Sequence, residues 1–263
     1  KSNHNYTKSD EESVAYAIKG GVDLNCGSLY NLIPDAIEKG FLLEEELDQA
    51  LKRLLVTRIK LGALNKVDDN PYDDLNKDDI NSKEHIELAR NVASKSIVLL
   101  KNENNILPLS KDINRLFITG PNAANLNTLL GNYNGLSSNI VTPLEGITSK
   151  VSNGTVIRFN KGVDLIHNND GRIESSASLA GSSDATIAIM GISALIEGEQ
   201  GDAVSSDANG DRSKIALPKN QINYLKALRK RSGNKPIILV IKSGSAIDLS
   251  EIYDEVDAII YAW

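Results

Sequence analysis

The stretch ATIAIMGISALIEGEQGDAVSSDANGDRSKIALPKNQINYLKALRKRSGNKPIILVIKSG, residues 185–244, reads as strand, loop, helix and strand in succession. ATIAIMG and KPIILVIKSG are short β-branched runs that end in glycine, and LPKNQINYLKALRKR between them carries helical spacing. Working outward, RLFITG (115–120), TVIRF (155–159) and DAIIYAW (257–263) repeat the strand type, and IVLL (97–100) adds another apolar run. SKEHIELARNVASKS (82–96) and TPLEGITSKV (142–151) read as helices. Apolar strands alternating with amphipathic helices imply an α/β fold with a parallel sheet covered on both faces. Ligands of such sheets bind outside the carboxyl ends of the strands. The polar loop after ATIAIMG sits at that position, and it is long for a simple strand-to-helix connection.

That loop carries Glu197, Glu199, Asp202, Asp207 and Asp211, then Arg212. Acids in a loop are usually a solvated run. Their place just past a buried strand also suits glycosidic cleavage, which needs one carboxylic acid to protonate the leaving oxygen and one carboxylate to attack or to activate water. Glu197 lies between Ile196 and Gly198, so one side can be desolvated while the glycine lets a sugar approach the backbone. Composition alone leaves both readings open.

The preceding region is organised differently. SDEESVAYAIKGG (9–21) has a serine start, acids in its first turn and terminal glycines, the signature of a helix. VDLN (22–25) is a short buried strand candidate, and CGSLYNLIPDAIEKG (26–40) gives a loop and a helix closed by Gly40. LLEEELDQALKRLLVTRIKLG (42–62) is the strongest helix pattern, with Leu43, Leu47, Ala50, Leu51, Leu54, Leu55 and Ile59 at three- and four-residue spacing. Residues 63–82 are polar and acidic with Pro71, as expected of a linker or an extended crossing segment.

The chain has 263 residues, 41% hydrophobic and 24% charged, with a net charge of −6. No basic stripe is present to neutralise phosphates, which argues against nucleic-acid or anionic-membrane partners. No run approaches the ~18 apolar residues of a membrane helix. Cys26 is the single cysteine, so no internal disulfide framework forms. His4, His85 and His167 lack metal-ligand spacing. ITGPNA (118–123) has neither a dinucleotide nor a P-loop glycine pattern and reads as a structural turn. Ser243 in KSGSA has no nucleophile elbow. The acidic linker lacks the glycine and glutamate offsets of a calcium loop.

GVDLNCG, AIEKGFLLEEELDQALKRLLVTRIKLG, NPYDDL, ASKSIVLLKNENNILPL, ITGPNA, LLGNYNG, TPLEGI and GDRSKIALPKNQ occur together and in this order. As a set they resemble the glycoside hydrolase family 3 enzymes of the β-glucosidase and β-xylosidase type. The resemblance implies the C-terminal part of a (β/α)8 barrel-like domain over residues 1–62, an interdomain linker over 63–82, and a parallel-sheet (β/α)6 sandwich over 83–263, truncated at its end. It implies a retaining exo-β-glycosidase acting on terminal glucosyl or xylosyl residues, with an oligosaccharide or glycoside as partner and no metal or organic cofactor.

The family's nucleophile is an aspartate in an SDW or SDC motif; no such motif occurs here, so it is expected upstream of Lys1 and the chain alone is expected to be inactive. The acid/base glutamate is expected at Glu197 in LIEGEQ, with Glu199 as its rival. Asp211 and Arg212 are expected to brace the loop through a salt bridge. Asn25 and Cys26, after the expected last barrel strand, are candidate sugar contacts beside an equally open structural role. A non-catalytic carbohydrate-binding or structural α/β module is the alternative. A homodimer is left open, and a periplasmic or secreted location is favoured over the cytoplasm.

Overall fold

In the computed structural model the described residues are 6–64, 72–130, 137, 139–167, 170–198, 203, 205–208 and 212–263. They fall into two compact units, Lys1–Ile80 and Asn81–Trp263.

The first unit is helical. Helix α1 spans Asp10–Lys19; the Ser9 side chain accepts from Glu12 N–H, and Asp10, Glu11 and Glu12 fill the first turn, where the helix dipole favours negative charge. Helix α2 (Ile33–Glu38) starts with a proline in its first turn, and helix α3 spans Glu44–Lys60. The core is small: Val14, Ala15 and Ile18 of α1 pack with Ala36, Leu42 and Ala50. Of the apolar stripe expected on α3, only Ala50 is fully buried; Leu51, Leu55 and Ile59 are 38–48% exposed.

VDLN forms no strand. Val22 and Leu24 are exposed, and the carbonyl of Val22 accepts from the Tyr30 hydroxyl at 2.5 Å rather than from a ladder partner. A strand exists only where a neighbour supplies the matching donors and acceptors. Residues 65–71 of the expected linker lie outside the described set. Beyond them the chain makes local turns, with Asn76 N–H bonded to Asp79 and Asp78 N–H bonded to Asn76.

The second unit is a six-stranded sheet in the order β1-β6-β5-β4-β2-β3. Its strands are β1 (Val98–Asn102), β2 (Arg115–Thr119), β3 (Val156–Asn160), β4 (Ala185–Gly191), β5 (Ile237–Lys242) and β6 (Ala258–Ala262). The expectation of a wholly parallel sheet is corrected at one edge: β1 runs antiparallel to β6, and the other pairings are parallel. A parallel sheet often carries one antiparallel edge strand, and β1, which follows helix α4 (Lys83–Ser96), is that edge here.

Alternation along the strands divides the core. Phe117, Ala188, Met190, Leu239 and Ile241 face one side, where helix α6 (Asp170–Gly181) contributes Ile173 and Ala177 and helix α7 (Lys219–Ser232) contributes Ile222, Leu225 and Leu228. Leu116, Ile118, Ile187, Ile189 and Ile238 face the other, against Leu144 and Ile147 of the short helix α5 (Pro143–Thr148) and against Ile106 and Leu107. β4 is buried along its whole length. Helix α4 buries no residue, and Leu88 and Val92 are about as exposed as its polar positions. Among the described residues no helix is long and apolar enough to cross a membrane.

Chain order places β3 on one side of β2 and β4, β5 and β6 on the other. The direction of winding therefore reverses between β2 and β4. In open α/β sheets the crevice outside the carboxyl ends of the strands at such a reversal takes the ligand.

Candidate active site

The chain leaves β4 at Gly191, whose φ of 133° lies in the left-handed region. A Cβ there would stand 1.9 Å from the Lys242 carbonyl oxygen, so only glycine fits between the adjoining strand ends. Gln221, at the start of α7, clamps the turn: its Oε1 accepts from Gly191 N–H at 2.9 Å, and its Nε2 donates to the Gly191 carbonyl at 2.7 Å. A tight turn follows, in which the Ser193 carbonyl accepts from the N–H groups of Ile196 and Glu197. Ile196 is buried in the core and anchors the loop, leaving its neighbour Glu197 at the surface of a cavity.

That cavity measures about 630 Å³. Leu129 from the segment after β2, Ile192 from after β4 and Trp263 from after β6 supply apolar wall. The hydroxyl side chains of Thr128, Ser193 and Ser243 line it, and among the described residues its charged groups are Glu197 and Lys242. It thus lies across the carboxyl ends of the sheet and includes the topological reversal. A second cavity of about 420 Å³ lies beside it in chain terms, lined by Gly120, Pro121 and Lys161 at the ends of β2 and β3.

The carboxylate of Glu197 is held through one oxygen. Its Oε2 accepts from the Ser245 hydroxyl at 2.6 Å and stands 2.7 Å from Arg212 Nε. Arg212 Nη2 donates to Ser245 Oγ and to the Ala246 carbonyl, both at 2.8 Å. The Arg212 side chain is only 9% exposed, against 32% for Glu197, so the pair is a buried brace under a partly accessible acid. The 2.7 Å Nε contact is close but poorly aligned, so Nε counts as an ion-pair contact rather than a formed hydrogen bond, and Nη1 is buried with no partner among the described residues. Oε1 of Glu197 has no hydrogen-bond partner among the described residues.

The salt bridge expected of Arg212 therefore forms with Glu197; Asp211 lies outside the described residues, as do Glu199 and Asp202. Asp207 accepts from Ser213 through both its oxygens, and these bonds hold its carboxyl below the ordinary aspartate range. Asn25 Oδ1 accepts from Gly27 N–H at 2.7 Å in a local turn of the first unit, and Cys26 is exposed. Sequence reasoning missed Ser245 and Lys242. The available signal was their position: Lys242 closes the strand within KPIILVIKSG, and Ser245 follows directly after that run.

A family model described as the glycosyl hydrolase family 3 C-terminal domain matches residues 97–263. Probable beta-D-xylosidase 7 of Arabidopsis thaliana is 34% identical over 248 residues, covering 93% of this chain and 31% of that protein. Beta-xylosidase/alpha-L-arabinofuranosidase 1 of Medicago sativa subsp. varia is 34% identical, covering 97% of this chain and 32% of its own length. Among solved structures, a GH3 exo-beta-xylosidase (XlnD) bound to a xylobiose aziridine activity-based probe superposes with a TM-score of 0.80 at 29% identity, over 98% of this chain and 32% of that one. A beta-glucosidase from Listeria innocua in complex with glucose shares the fold at a TM-score of 0.76 and 23% identity, over 99% of this chain and 34% of that one. The chain spans about a third of the length of the relatives it matches.

Proposed function

We propose that this chain, which belongs to glycosyl hydrolase family 3, is the part of a retaining exo-β-glycosidase that supplies the acid/base, Glu197. The observation that carries the reading is the carboxyl group itself: it borders a cavity at the strand ends, is fixed through Oε2 and is open at Oε1. Domains of the parent enzyme are assigned as the end of a barrel-like domain over 1–62, a linker over 63–82 and the sandwich over 83–263. The attacking carboxylate is an aspartate from sequence preceding Lys1, consistent with relatives about three times this length.

The reaction then runs in two displacements. Glu197 gives its proton to the glycosidic oxygen as the bond from that oxygen to the anomeric carbon breaks, and the aspartate carboxylate bonds to the same carbon. The leaving sugar departs as an alcohol and a glycosyl ester remains on the enzyme. Glu197, now ionised, takes a proton from water while the water oxygen attacks the anomeric carbon and releases the aspartate. This geometry requires carboxyl groups ~5–5.5 Å apart. Arg212 and Ser245 hold the acid in place through both steps. The substrate is a terminal β-xylosyl or β-glucosyl residue, the xylosyl reading being supported by the names of the more similar relatives. Asn25 and Cys26 stay candidates for sugar contacts of the parent enzyme, beside a structural role that the Asn25–Gly27 turn supports.

The test is Glu197→Gln in the full-length enzyme. Turnover of glycosides with poor leaving groups should fall roughly 10²–10⁴-fold, the usual worth of a positioned proton donor, while activated aryl glycosides lose far less. Azide should restore part of the second displacement. Equal losses on both substrate types would move the role elsewhere, with Glu199 the next residue to substitute.

A further inference from the structure

We infer that Tyr261 is a positioning residue for the acid/base: its hydroxyl, carried on β6, fixes the Ser245 bend and through it the donor that holds Glu197. The inference rests on the acid/base reading of Glu197 and adds to it a residue that acts through Ser245.

Ser245 lies in a bend just past the carboxyl end of β5, where the ladder bonds of that strand have ended. The shape of the bend is set locally: Ser243 Oγ donates to the Ser245 carbonyl at 2.7 Å and accepts from Ser245 N–H at 3.2 Å. Bonds of this local kind fix the shape of a turn and not its place relative to the sheet. Beyond the bend Ile247 enters the core, which leaves the Ser245 peptide in need of a tether of its own. Tyr261 supplies that tether, its hydroxyl donating to the Ser245 carbonyl.

The phenol ring is firmly seated. Tyr261 is only 5% exposed, stands opposite Ile241 in the register of β5 and β6, and shares a core cluster with Leu239, Ile247 and Ile252. The ring of Trp263 lies 4.6 Å from its own, centroid to centroid. A close-packed ring carries its hydroxyl to one point. From that point the path to the acid is a single residue long, because the Ser245 hydroxyl donates to Glu197 Oε2 at 2.6 Å. Arg212, the other group on Oε2, is seated on the same bend through Ser245 Oγ and the Ala246 carbonyl. Releasing the bend therefore loosens both groups that hold the carboxylate.

Tyr261→Phe in the full-length enzyme tests this, since it keeps the ring and removes only the hydroxyl. For glycosides with poor leaving groups kcat/KM should fall about tenfold, the lower range for one hydrogen bond to a charged group. Activated aryl glycosides, which need little proton donation, should lose less than about twofold. A donor on a carboxylate oxygen favours the ionised form, so a loosened Ser245 hydroxyl should carry the alkaline limb of the kcat/KM profile to higher pH, in Tyr261→Phe and in Ser245→Ala alike. Neither the ratio of the two losses nor the position of the limb depends on how much of the enzyme is folded. The double variant should lose little more than Ser245→Ala alone, because the two residues act in series. Equal losses on both substrate types, an alkaline limb that stays in place, or single losses that multiply in the double variant overturn the inference. A selective loss in Glu197→Gln with none in Tyr261→Phe refutes the role of Tyr261 alone, whereas equal losses on both substrate types in Glu197→Gln refute the acid/base reading.

Discussion

Strand β5 and helix α3 are both rich in leucine, isoleucine and valine, yet they end in opposite environments. In β5, Ile237, Ile238, Leu239 and Ile241 are all at most 2% exposed, shared between the two faces of a sheet that helices and loops cover. In α3, Leu51, Leu55, Val56 and Ile59 remain 38–48% exposed, and the core beneath the helix is a small cluster of six buried residues among those described. An apolar stripe defines a face; only a partner surface turns that face into a core. The cavity belongs to the well-covered region, at the carboxyl ends of strands that are packed on both faces.

The difference predicts how each region responds to damage. Leu239→Ala should show the largest effect, about 2–5 kcal/mol, because a closed core cannot collapse around the lost atoms. Urea unfolding followed by the fluorescence of Trp263, the single tryptophan, reads this in the second unit. A loss below the cost of an ordinary surface change would mean that the sheet is less tightly packed than its burial implies. Tyr224→Phe comes next. The buried Tyr224 hydroxyl bonds to Thr119 Oγ1 and Ser176 Oγ at 2.6 Å each, and burial pushes its phenol upward despite these two contacts. Its removal leaves both hydroxyls short of a partner, at about 1–3 kcal/mol by the same measurement.

In the first unit the sharper probe is pH. Lys39 stands 2.6 Å from Glu11, and the contact lowers the Glu11 carboxyl from its ordinary 4.5 to about 2. A folded value below the unfolded one means that the stabilisation is present above pH 4.5 and is lost as pH falls toward 2. The difference in melting temperature between wild type and Glu11→Gln should therefore narrow between pH 6 and pH 2.5, and salt should reduce it, since the pair is solvent-facing. A gap that widens in acid contradicts the assignment. Leu55→Ala should do least, within about 0.5 kcal/mol, since an exposed leucine has little burial to lose and alanine favours the helix. A large loss would show that α3 is covered in solution and would break the contrast.

Much of the second unit was legible in the primary structure. Every apolar run taken as a strand there became one, because a buried β-strand needs β-branched residues and glycine exits that few other elements combine. Helix α6 was not read. GRIESSASLAG is rich in serine, a middling helix former, and its signal is confined to Ile173, Ala177 and Ala180 at helical spacing under the sheet. The direction of β1 was equally hidden, since pairing sense depends on which neighbour an edge strand finds.

The position of Glu197 after a buried strand, between a core isoleucine and a glycine, was determined by local sequence, because strand ends and turns follow from nearby residues. What surrounds its carboxyl group was decided only by the fold. Arg212 lies fifteen residues further along the same loop and Ser245 follows a different strand, and their meeting at one oxygen depends on β4 and β5 lying side by side in register. Lys242 came into the same cavity for that reason, since hydrogen-bond register between distant segments sets which strand-end side chains converge, and no local pattern encodes it.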